Sequence, residues 1–453
     1  MNIVIVGCGN VGYTLSEQLG REGHEITLID TDAERLKFVV DTLDIQGVVG
    51  NGVSYKVLKE AGLNDADLFI AVTNEDEANM LGCLIATKIS RCKTIARVRN
   101  PQYYEDIKYI KEELGLSMYV NPEREAAREM SRLIQIPSAI DVDTFDKSRM
   151  NMIKFKILAH SMLDGMEIKD IKTKVSANML VCIVQRGEQI VIPNGFFVLR
   201  AGDVISFVTP IRNAYSVFKK AGVKARNIKN VMIAGGGRIS YYLAQLLIKA
   251  RIKVKIIERD RSRCEELSEL LPDAMIICGN ATNQQLLLEE GINNTDAFVS
   301  VTDTDEENIM LSLYAGRVSG AKVITKIKKV TFEEIVTELN VGSIVDPKNI
   351  IAESIVSYVR ALQNSFGSNV ETLYRLIDKK VEAVEFSVNK PVEGLTGMRL
   401  MDTNLKDNLL VCSIKRGDKT FIPEGKDSIE LGDRVIVVTT HLGLNDIKEI
   451  LRG

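Results

Sequence analysis

Short apolar runs alternate with amphipathic segments along the first part of the chain. The runs start with NIVIVG at 2–7 and EITLID at 25–30 and continue through DIQGVVG, DLFIAVT, KTIARVRN and SMYVNP. Strands that alternate with helices predict a parallel sheet with helices on both of its faces. A longer amphipathic helix is predicted after Pro122, and strand patterns with glycine turns from 152 to 208 predict a small α+β domain.

The same signals return in the same order in the second part of the chain. NIVIVGCGNVG at 2–12 corresponds to NVMIAGGGRIS at 230–240, and DLFIAVTNEDEANML corresponds to DAFVSVTDTDEENIML. LVCIVQRGEQIVIPNG, which begins at Leu180, shares eight of sixteen positions with LVCSIKRGDKTFIPEG, which begins at Leu410. Because each copy is long enough to bury its own core, the pattern indicates a tandem duplication and not a solenoid.

The predicted fold class is therefore α/β, with two doubly wound parallel-sheet Rossmann domains, each followed by a small α+β domain. The connector KAGVKARNIKN at 220–230 has the weakest pattern, so the boundary between the halves is placed there. The four predicted domains are a Rossmann-like domain at 1–140, a small domain at 141–225, a second Rossmann-like domain at 226–370 and a second small domain at 371–453.

Composition argues against several classes of protein. The 58 Lys and Arg residues nearly balance the 61 Asp and Glu residues, so no broad field favours nucleic acid or an anionic membrane surface. No apolar run reaches the roughly 18 residues of a membrane span, and no signal peptide is recognisable. A cytoplasmic chain without direct membrane insertion is expected. Its seven cysteines lack a Cys-x-x-Cys pair and are expected to be reduced, with no structural zinc.

A glycine fingerprint follows the first predicted strand. Gly7-x-Gly9-x-x-Gly12 opens a helix, and Asp30 ends the second strand. The first glycine permits a tight turn, the second lets the backbone approach a pyrophosphate, and the third allows close packing of helix on strand. Asp30 is expected to accept hydrogen bonds from ribose hydroxyls and to disfavour a 2′-phosphate, so NAD or NADH is predicted in the first half. The alternative is a tight turn in an empty Rossmann-like fold.

The second copy keeps part of this fingerprint. Gly235 and Gly237 retain the turn and the phosphate approach, and Glu258 follows Gly235 by the same 23 residues that separate Asp30 from the first glycine of its own loop.

Two replacements distinguish the second loop. Ser240 stands in place of the third glycine, and Arg238 stands in place of Asn10. Because an arginine offers a bidentate donor for phosphate oxygens, the second half is predicted to hold ATP or ADP, with NAD left open. The alternative is that Arg238 points to solvent or to a neighbouring subunit beside an empty pocket.

Polar residues also recur at the ends of the later strands, where open α/β sheets bind ligands. Asn51 and Asn280 are expected at the adenosine end, Thr73 beside the nucleotide and Arg97 at a phosphate, although an ordinary turn or strand-end role is equally compatible with each residue. The complete candidate set is Gly7, Gly9, Asn10, Val11, Gly12, Asp30, Asn51, Thr73 and Arg97 in the first half, and Gly235, Gly237, Arg238, Ile239, Glu258, Asn280, Thr302 and Lys326 in the second. The acids Asp76, Glu77, Asp305 and Glu306 are interpreted as favouring helix starts.

No catalytic or metal site is predicted. The three histidines, His24, His160 and His441, show no ligand spacing and do not recur between the copies. No Walker-type lysine, activated serine or repeated carboxylate pair is recognisable. Nucleotide binding without turnover is the simpler prediction, and an NAD-dependent oxidoreductase, which would need its own acid or base, is the alternative.

Taken together, these residues resemble a known family, the regulators of potassium conductance, also called KTN proteins, in a tandem form. The resemblance covers essentially the whole chain and includes the glycine loop with Asp30, the GNG and VTNEDEAN segments, ARVRNP, the helix begun by NPE, and both small domains. It implies a cytoplasmic regulatory subunit that binds NAD(H) or ATP/ADP and attaches to the inner face of the cell membrane through a Trk-type membrane potassium transporter.

The resemblance also implies an assembly. The Rossmann units are expected to pair through helices at 122–134 and 349–362 into a homo-oligomeric ring, as a dimer or a tetramer. A nucleotide would then gate the pore by binding one ring geometry more tightly than another. A nucleotide sensor that acts on a different channel or exporter stays open as a further alternative.

Overall fold

The computed structural model describes four sheets with their helices. The described residues are 1–136, 138–145, 150–175, 178–210, 213–220, 228–328, 339, 341–364, 369–377 and 380–452. The predicted boundary between the halves, at 225/226, lies outside them.

The first half begins with a parallel sheet. Its strands are β1 (Asn2–Val6), β2 (Glu25–Asp30), β3 (Gln46–Val49), β4 (Leu68–Ala71), β5 (Lys93–Arg97) and β6 (Met118–Val120). Its helices are α1 (Asn10–Arg21), α2 (Ala33–Leu43), α3 (Tyr55–Glu60), α4 (Asp76–Ile89), α5 (Pro101–Glu105), α6 (Ile107–Glu113) and α7 (Pro122–Gln135). The strand order is β3-β2-β1-β4-β5-β6. The order reverses between β1 and β4, so a crevice opens at the carboxyl ends of these two strands.

Local sequence explains how strand β1 and helix α7 form. Strand β1 is apolar and buried over four of its five residues, as expected for a strand covered on both faces. Helix α7 starts where the Asn121 side chain accepts a hydrogen bond from the Arg124 N–H, and Pro122 occupies its first turn.

An antiparallel sheet follows. Its strands are β7 (Asp141–Phe145), β8 (Met150–Lys156), β9 (Leu180–Arg186), β10 (Gln189–Val191) and β11 (Val204–Pro210), and helix α8 (Ala214–Lys220) follows them. The order is β10-β9-β11-β8-β7. The Arg186 guanidinium donates two hydrogen bonds of 2.7 Å to the buried Asp203 carboxylate, which ties the end of β9 to the turn before β11.

The second half repeats this plan. Its parallel strands are β12 (Asn230–Ala234), β13 (Lys253–Glu258), β14 (Met275–Cys278), β15 (Ala297–Ser300), β16 (Lys322–Lys326) and β17 (Ser343–Val345). The helices are α9 (Arg238–Lys249), α10 (Arg261–Leu270), α11 (Gln284–Glu289), α12 (Asp305–Val318) and α13 (Pro347–Asn364). The antiparallel strands are β18 (Val370–Leu376), β19 (Val381–Ser387), β20 (Leu409–Arg416), β21 (Lys419–Phe421) and β22 (Arg434–Thr439). The strand orders, β14-β13-β12-β15-β16-β17 and β18-β19-β22-β20-β21, confirm the predicted fold class.

The two halves pack through their crossover helices. Helix α7 of the first half lies against α9 of the second, and α13 of the second half lies against α1 of the first. Met130 of α7 and Leu243 of α9 belong to one buried cluster, and Ile355 of α13 and Leu15 of α1 belong to another. Helices α1 and α9 each begin at a glycine loop. The packing of α7 on α9 and of α13 on α1 therefore brings the two loops toward each other.

Polar contacts reinforce the same interface. Arg360 of α13 forms an ion pair of 2.7 Å with Glu22, and both side chains are mostly buried. The Tyr242 hydroxyl of α9 accepts a hydrogen bond from the Asn121 side chain and donates one to the Arg99 carbonyl, each at 3.1 Å. Both Arg99 and Asn121 belong to the first half, so the Tyr242 hydroxyl links the second half to two residues of the first.

The small domains also meet. Phe145 of β7 and Tyr374 of β18 stack edge to face with ring centroids 4.6 Å apart. Cys182 and Cys412, which occupy corresponding positions in the two copies, are fully buried in the same cluster. Within the described residues, no helix combines the length and apolar character that crossing a bilayer requires.

Candidate functional site

Two positions of the glycine loop in the first half favour glycine for steric reasons. Gly7 has a φ of +102°, a conformation that other residues rarely adopt. A Cβ on Gly12 would lie 1.8 Å from the Gly7 carbonyl oxygen, so only glycine lets α1 pack this closely on β1. Gly9 caps the helix, and a Cβ there would meet nothing within 4 Å. The loop therefore leaves open space at the start of α1, where backbone N–H groups favour an anion.

Asp30 lies beside this loop. Its carboxylate accepts hydrogen bonds from the Cys8 N–H at 2.6 Å and from the Asp32 N–H at 2.9 Å. Burial alone would raise the pKa of Asp30, but these backbone hydrogen bonds lower it below its ordinary value. Asp30 is thus held ionised at the end of β2, where it can accept hydrogen bonds from a sugar.

The other predicted residues of the first half sit around the same crevice. Asn51 accepts a hydrogen bond from the Val53 N–H at 3.0 Å and so shapes its own turn. The N–H and hydroxyl of Thr73 both donate to the Asn79 side chain, at 2.9 and 2.7 Å. The Arg97 side chain is mostly buried and lies 3.8 Å from Glu123.

The second loop reproduces this geometry with one change. Gly235 also has a φ of +102°. The fully buried Ser240 hydroxyl donates to the Gly235 carbonyl at 2.5 Å, so a hydroxyl contact replaces the close approach that Gly12 provides. Glu258 accepts hydrogen bonds from the Gly236 and Asp260 N–H groups at 2.6 and 2.8 Å, as Asp30 does in the first half.

The remaining second-half residues also repeat their counterparts. Asn280 accepts a hydrogen bond from the Thr282 N–H at 2.9 Å, and Thr302 donates to Asn308. Lys326 differs from Arg97 because its ammonium group donates to the Thr302 carbonyl at the end of β15. Burial lowers the pKa of Lys326 to about 8, and the neighbouring Lys328 charge adds to this.

One large cleft joins the two halves. It encloses about 1080 Å³ and is lined by Gly7, Gly9, Asp30, Asn51, Thr73 and Arg97 from the first half, and by Gly237, Arg238, Ile239, Lys326, Lys328 and Lys348 from the second. Asn10 and Val11 also line it. Its size lies at the upper end of the roughly 300 to 1,000 Å³ of ordinary small-molecule pockets.

Charge is distributed unevenly in this cleft. Asp30 and Asp32 lie at the end of β2, whereas four of the cations come from the second half. Burial lowers the pKa of Arg97, the Glu123 charge opposes that effect, and the charges of Arg99 and Arg238 add to it. Arg97 and Arg238 line the same cleft, where the two positive charges repel each other. An anionic group placed between them would relieve this repulsion.

A smaller cavity of about 300 Å³ belongs to the second half alone. Gly235, Gly237, Glu258, Asn280 and Thr302 line it. Arg238, Ile239 and Lys326, which the sequence grouped with these residues, line the large cleft instead. The Arg263 guanidinium also lines the small cavity and donates to the Gly236 carbonyl at 2.8 Å.

Sequence reasoning missed several residues that build these sites. Asn79 and Asn308 each hold a strand end through a buried side-chain amide, and their signal was identity at the same position of both copies. Asp76 begins α4, as predicted, and its carboxylate also accepts hydrogen bonds from the Arg99 and Asn100 N–H groups at 2.8 and 2.7 Å. Asp305 does the same for the Lys328 N–H.

The arrangement suits binding. Loop N–H groups, carboxylates and cations converge on the large cleft and would hold phosphates and sugars. Within the described part of the chain, no group of three or more His, Cys, Asp or Glu side chains is placed to hold a metal ion.

The sequence also matches known protein families and relatives. The TrkA-N domain family matches residues 3–122 and 231–347, and the TrkA-C domain family matches residues 152–222 and 383–452. The chain is 34% identical over 453 residues to a Trk system potassium uptake protein TrkA homolog of Archaeoglobus fulgidus, and the match covers 100% of both chains. It is 33% identical over 456 residues to Trk system potassium uptake protein TrkA of Halomonas elongata, covering 100% of this chain and 99% of that protein.

Solved structures show the same fold. The GsuK channel superposes with a TM-score of 0.65 at 16% identity, covering 97% of this chain and 77% of that one. The GsuK channel bound to NAD gives a TM-score of 0.63, also at 16% identity, with the same coverage. At this level of identity, the likeness shows the fold alone.

Proposed function

Because the chain belongs to the TrkA family, whose TrkA-N and TrkA-C domains it carries twice in tandem, we propose that it is the nucleotide-sensing regulatory subunit of a potassium uptake system. The similar proteins are named as potassium uptake proteins and not as enzymes. The proposed role is to bind an adenine nucleotide without consuming it and to transmit its occupancy to a Trk-type membrane transporter.

The observation that carries this proposal is the composite cleft. The first glycine loop and Asp30 face Arg238, Lys328 and Lys348 of the second half across one cavity. A ligand that rests its phosphates on the Gly7 to Gly12 loop would therefore also contact the second half. Its binding energy would depend on how the two halves sit relative to each other, which is the requirement for a ligand that shifts a conformational equilibrium.

The residues of the cleft favour particular ligands. An ionised Asp30 suits the free ribose hydroxyls of NAD(H), ATP or ADP and disfavours a 2′-phosphate. Two of the similar solved structures are of GsuK, one as a channel bound to NAD and one bound to ADP. We propose NAD(H), ATP or ADP in the large cleft. For the small cavity we propose the adenosine part of a nucleotide, held by Glu258 and Asn280.

The fold also supports a proposal about assembly. Each crossover helix of this chain already packs against the other half, so one chain supplies a complete pair of Rossmann domains. We propose that such pairs assemble into a ring beneath the membrane partner and that the chain stays peripheral, on the cytoplasmic side. The four domains proposed from the sequence, 1–140, 141–225, 226–370 and 371–453, are the units of that ring.

Reconstitution tests the proposal. The chain and its Trk-type membrane partner would be inserted into vesicles, and rubidium or potassium flux would be followed with ATP, ADP, NADH or no nucleotide. Gly9→Ala places a methyl in the open space where phosphates would lie, and Gly20→Ala of the same helix, which also meets nothing within 4 Å, is the control.

The expected result is a flux that changes with at least one nucleotide in the wild type and in Gly20→Ala, and that no longer responds in Gly9→Ala. Nucleotide binding with a flux that never responds would contradict gating. Absence of any flux change when the chain itself is added or removed would contradict the regulatory role.

A further inference from the structure

Two cysteines of the second half form a pair beside the small cavity. Cys264 of α10 is buried, and Cys278, the last residue of β14, is exposed. Both adjoin Glu258, Cys264 through its thiol and Cys278 through strand pairing. An accessible thiol with a second, buried thiol nearby is the arrangement of a reactive cysteine and its resolving partner.

This pair flanks the acid of the small cavity. The Cys264 thiol donates to the Glu258 carbonyl at 3.3 Å, and Cys278 pairs with Glu258 in the parallel register of β13 and β14. The chain neighbours of the two cysteines, Arg263 and Gly279, both line the cavity. Movement of either thiol would therefore move a wall of the cavity.

At the corresponding positions of the first half, neither residue is a cysteine. The residue that pairs with Asp30 is Val49, which takes the place of Cys278. Leu36, four residues after the Asp32 cap of α2, takes the place of Cys264, which follows the Asp260 cap of α10 by the same number of residues. The thiol pair is thus specific to one of two otherwise similar sites.

We propose that Cys264 and Cys278 are a reversible redox modification site, which a peroxide oxidises to an intrachain disulfide at the edge of the small cavity. In the first step, the Cys278 sulfur attacks hydrogen peroxide, the O–O bond breaks, and Cys278 sulfenic acid and water form. In the second step, the Cys264 sulfur attacks the sulfenic sulfur, the S–O bond breaks, and a second water leaves. Two thiols and one peroxide thus give one disulfide and two waters, and a dithiol reductant reverses the reaction.

The environment sets the order of the steps. Burial raises the pKa of Cys264 to about 12, and the neighbouring Cys278 adds to the effect. Cys264 is therefore the protonated partner, and the exposed Cys278 meets the oxidant first. Once Cys278 is a sulfenic acid, Cys264, which adjoins the same residue, Glu258, is the thiol placed to attack its sulfur.

The disulfide would reshape the cavity. An S–S bond is about 2.05 Å long, shorter than any non-bonded contact between two sulfurs, so the end of β14 must approach α10. Gly279 and Asn280 follow Cys278 directly and line the cavity. This coupling to ligand binding rests on the proposed function, whereas the disulfide itself does not.

Mass spectrometry tests the disulfide directly. The purified full chain would be treated with equimolar hydrogen peroxide, its remaining thiols would be alkylated, and it would be digested without reduction. We expect a crosslinked peptide joining Cys264 to Cys278 that dithiothreitol removes, and that is absent from Cys264→Ser and Cys278→Ser. Cys92→Ser, a buried thiol of the first half, should leave it unchanged. Oxidation of Cys278 that ends at sulfinic acid, or crosslinks only between chains, would overturn the proposal.

Calorimetry of nucleotide binding supplies the second readout. Oxidation should change the affinity of the small cavity at least threefold and leave the large cleft unchanged, and Cys278→Ser should be insensitive to peroxide. An unchanged affinity in a chain with a complete disulfide would overturn the coupling. Failure of any nucleotide to bind in either redox state would instead count against the proposed function, because the crosslinked peptide does not depend on it.

Discussion

Gly12 and Ser240 show how one side chain sets the approach of a helix to a strand. At position 12 even a methyl group would overlap the Gly7 carbonyl oxygen, whereas at the corresponding position of the second loop a whole serine is accommodated and bonds to the Gly235 carbonyl. The two loops therefore do not have equivalent geometry for binding phosphates. The first has the tighter geometry that a pyrophosphate needs.

Substitutions at three glycines of α1 and its cap should separate binding from folding. Gly9→Ala should abolish nucleotide binding with little change in stability, because its Cβ meets nothing within 4 Å. Gly12→Ala should lower both, by roughly 1 to 3 kcal/mol in stability, because the overlap forces α1 away from β1. Gly20→Ala, in open space inside α1, should leave binding unchanged and raise stability by up to about 1 kcal/mol, because alanine favours the helix. Urea denaturation and nucleotide titration of the three variants check this.

The outcome that would contradict this assignment is specific. If Gly9→Ala bound nucleotide as tightly as the wild type, phosphates would not lie against the start of α1. If Gly12→Ala were as stable as Gly20→Ala, the close packing at Gly12 would not be required.

The sequence predicted the loop residues and Asp30 but not the side chains that hold the loop ends. Asn79 recurs as Asn308 in the second copy, but its role was not predicted because its partners, Thr73 and the Arg97 carbonyl, are 6 and 18 residues away and meet it only in the folded domain. Asp76 was interpreted through the helix dipole, which is a local effect. Its hydrogen bonds to the Arg99 and Asn100 N–H groups arise only once β5 lies beside α4.

Helix α7 carries a carboxylate whose protonation is linked to the interface between the halves. Burial raises the pKa of Glu129 to about 7, Asp141 and Glu353 add to the rise, and Arg132 opposes it. Glu353 lies on α13, so the helices that join the halves share this acidic cluster. Burial also raises the pKa of Asp346, just before α13, to about 6.

Stability should therefore fall as the pH rises. A group whose folded pKa is raised contributes stability that is complete below its unfolded value, here 4.5, and that is lost as the pH passes about 7. Since one pKa unit is worth about 1.4 kcal/mol, Glu129 accounts for up to about 3 kcal/mol. Glu129→Gln should flatten the change in the urea midpoint between pH 5 and pH 7.5.

Glu125→Gln is the matched control on the same helix, since Glu125 pairs with Arg128 at a more exposed position. It should keep the pH dependence of the wild type. Equal pH dependence in Glu129→Gln and the wild type would show that Glu129 is ionised in the folded chain across this range.

At the scale of the whole chain, the sequence predicted the duplication but did not predict the cleft between the two copies. Repeated motifs predicted two Rossmann domains and the helix after Pro122. They could not show that Arg238 and Lys326 leave their own half's pocket and line the cleft of the first loop, because that depends on α7 packing against α9 and α13 against α1. A pattern within one copy carries no information about the position of the other.

Tyr242→Phe should loosen the contact between the halves. The variant keeps the ring but removes the hydroxyl that joins Asn121 and the Arg99 carbonyl, at a cost of about 1 to 3 kcal/mol. Amide hydrogen exchange should accelerate in α7 and α9 while α4 keeps its protection. Tyr55→Phe, at an exposed position, is the control. Uniform acceleration over the chain would instead indicate a general loss of stability.

The proposal that a nucleotide lies between the halves is tested most directly by calorimetric titration of ATP, ADP and NADH into the wild type and Arg238→Ala. Arg238 belongs to the second half yet lines the cleft with Gly7 and Asp30. Removing a charge-assisted contact should weaken binding at the first loop about tenfold or more, whereas Arg317→Ala, exposed on α12, should have no effect. Wild-type affinity in Arg238→Ala, or no nucleotide binding at all, would contradict it.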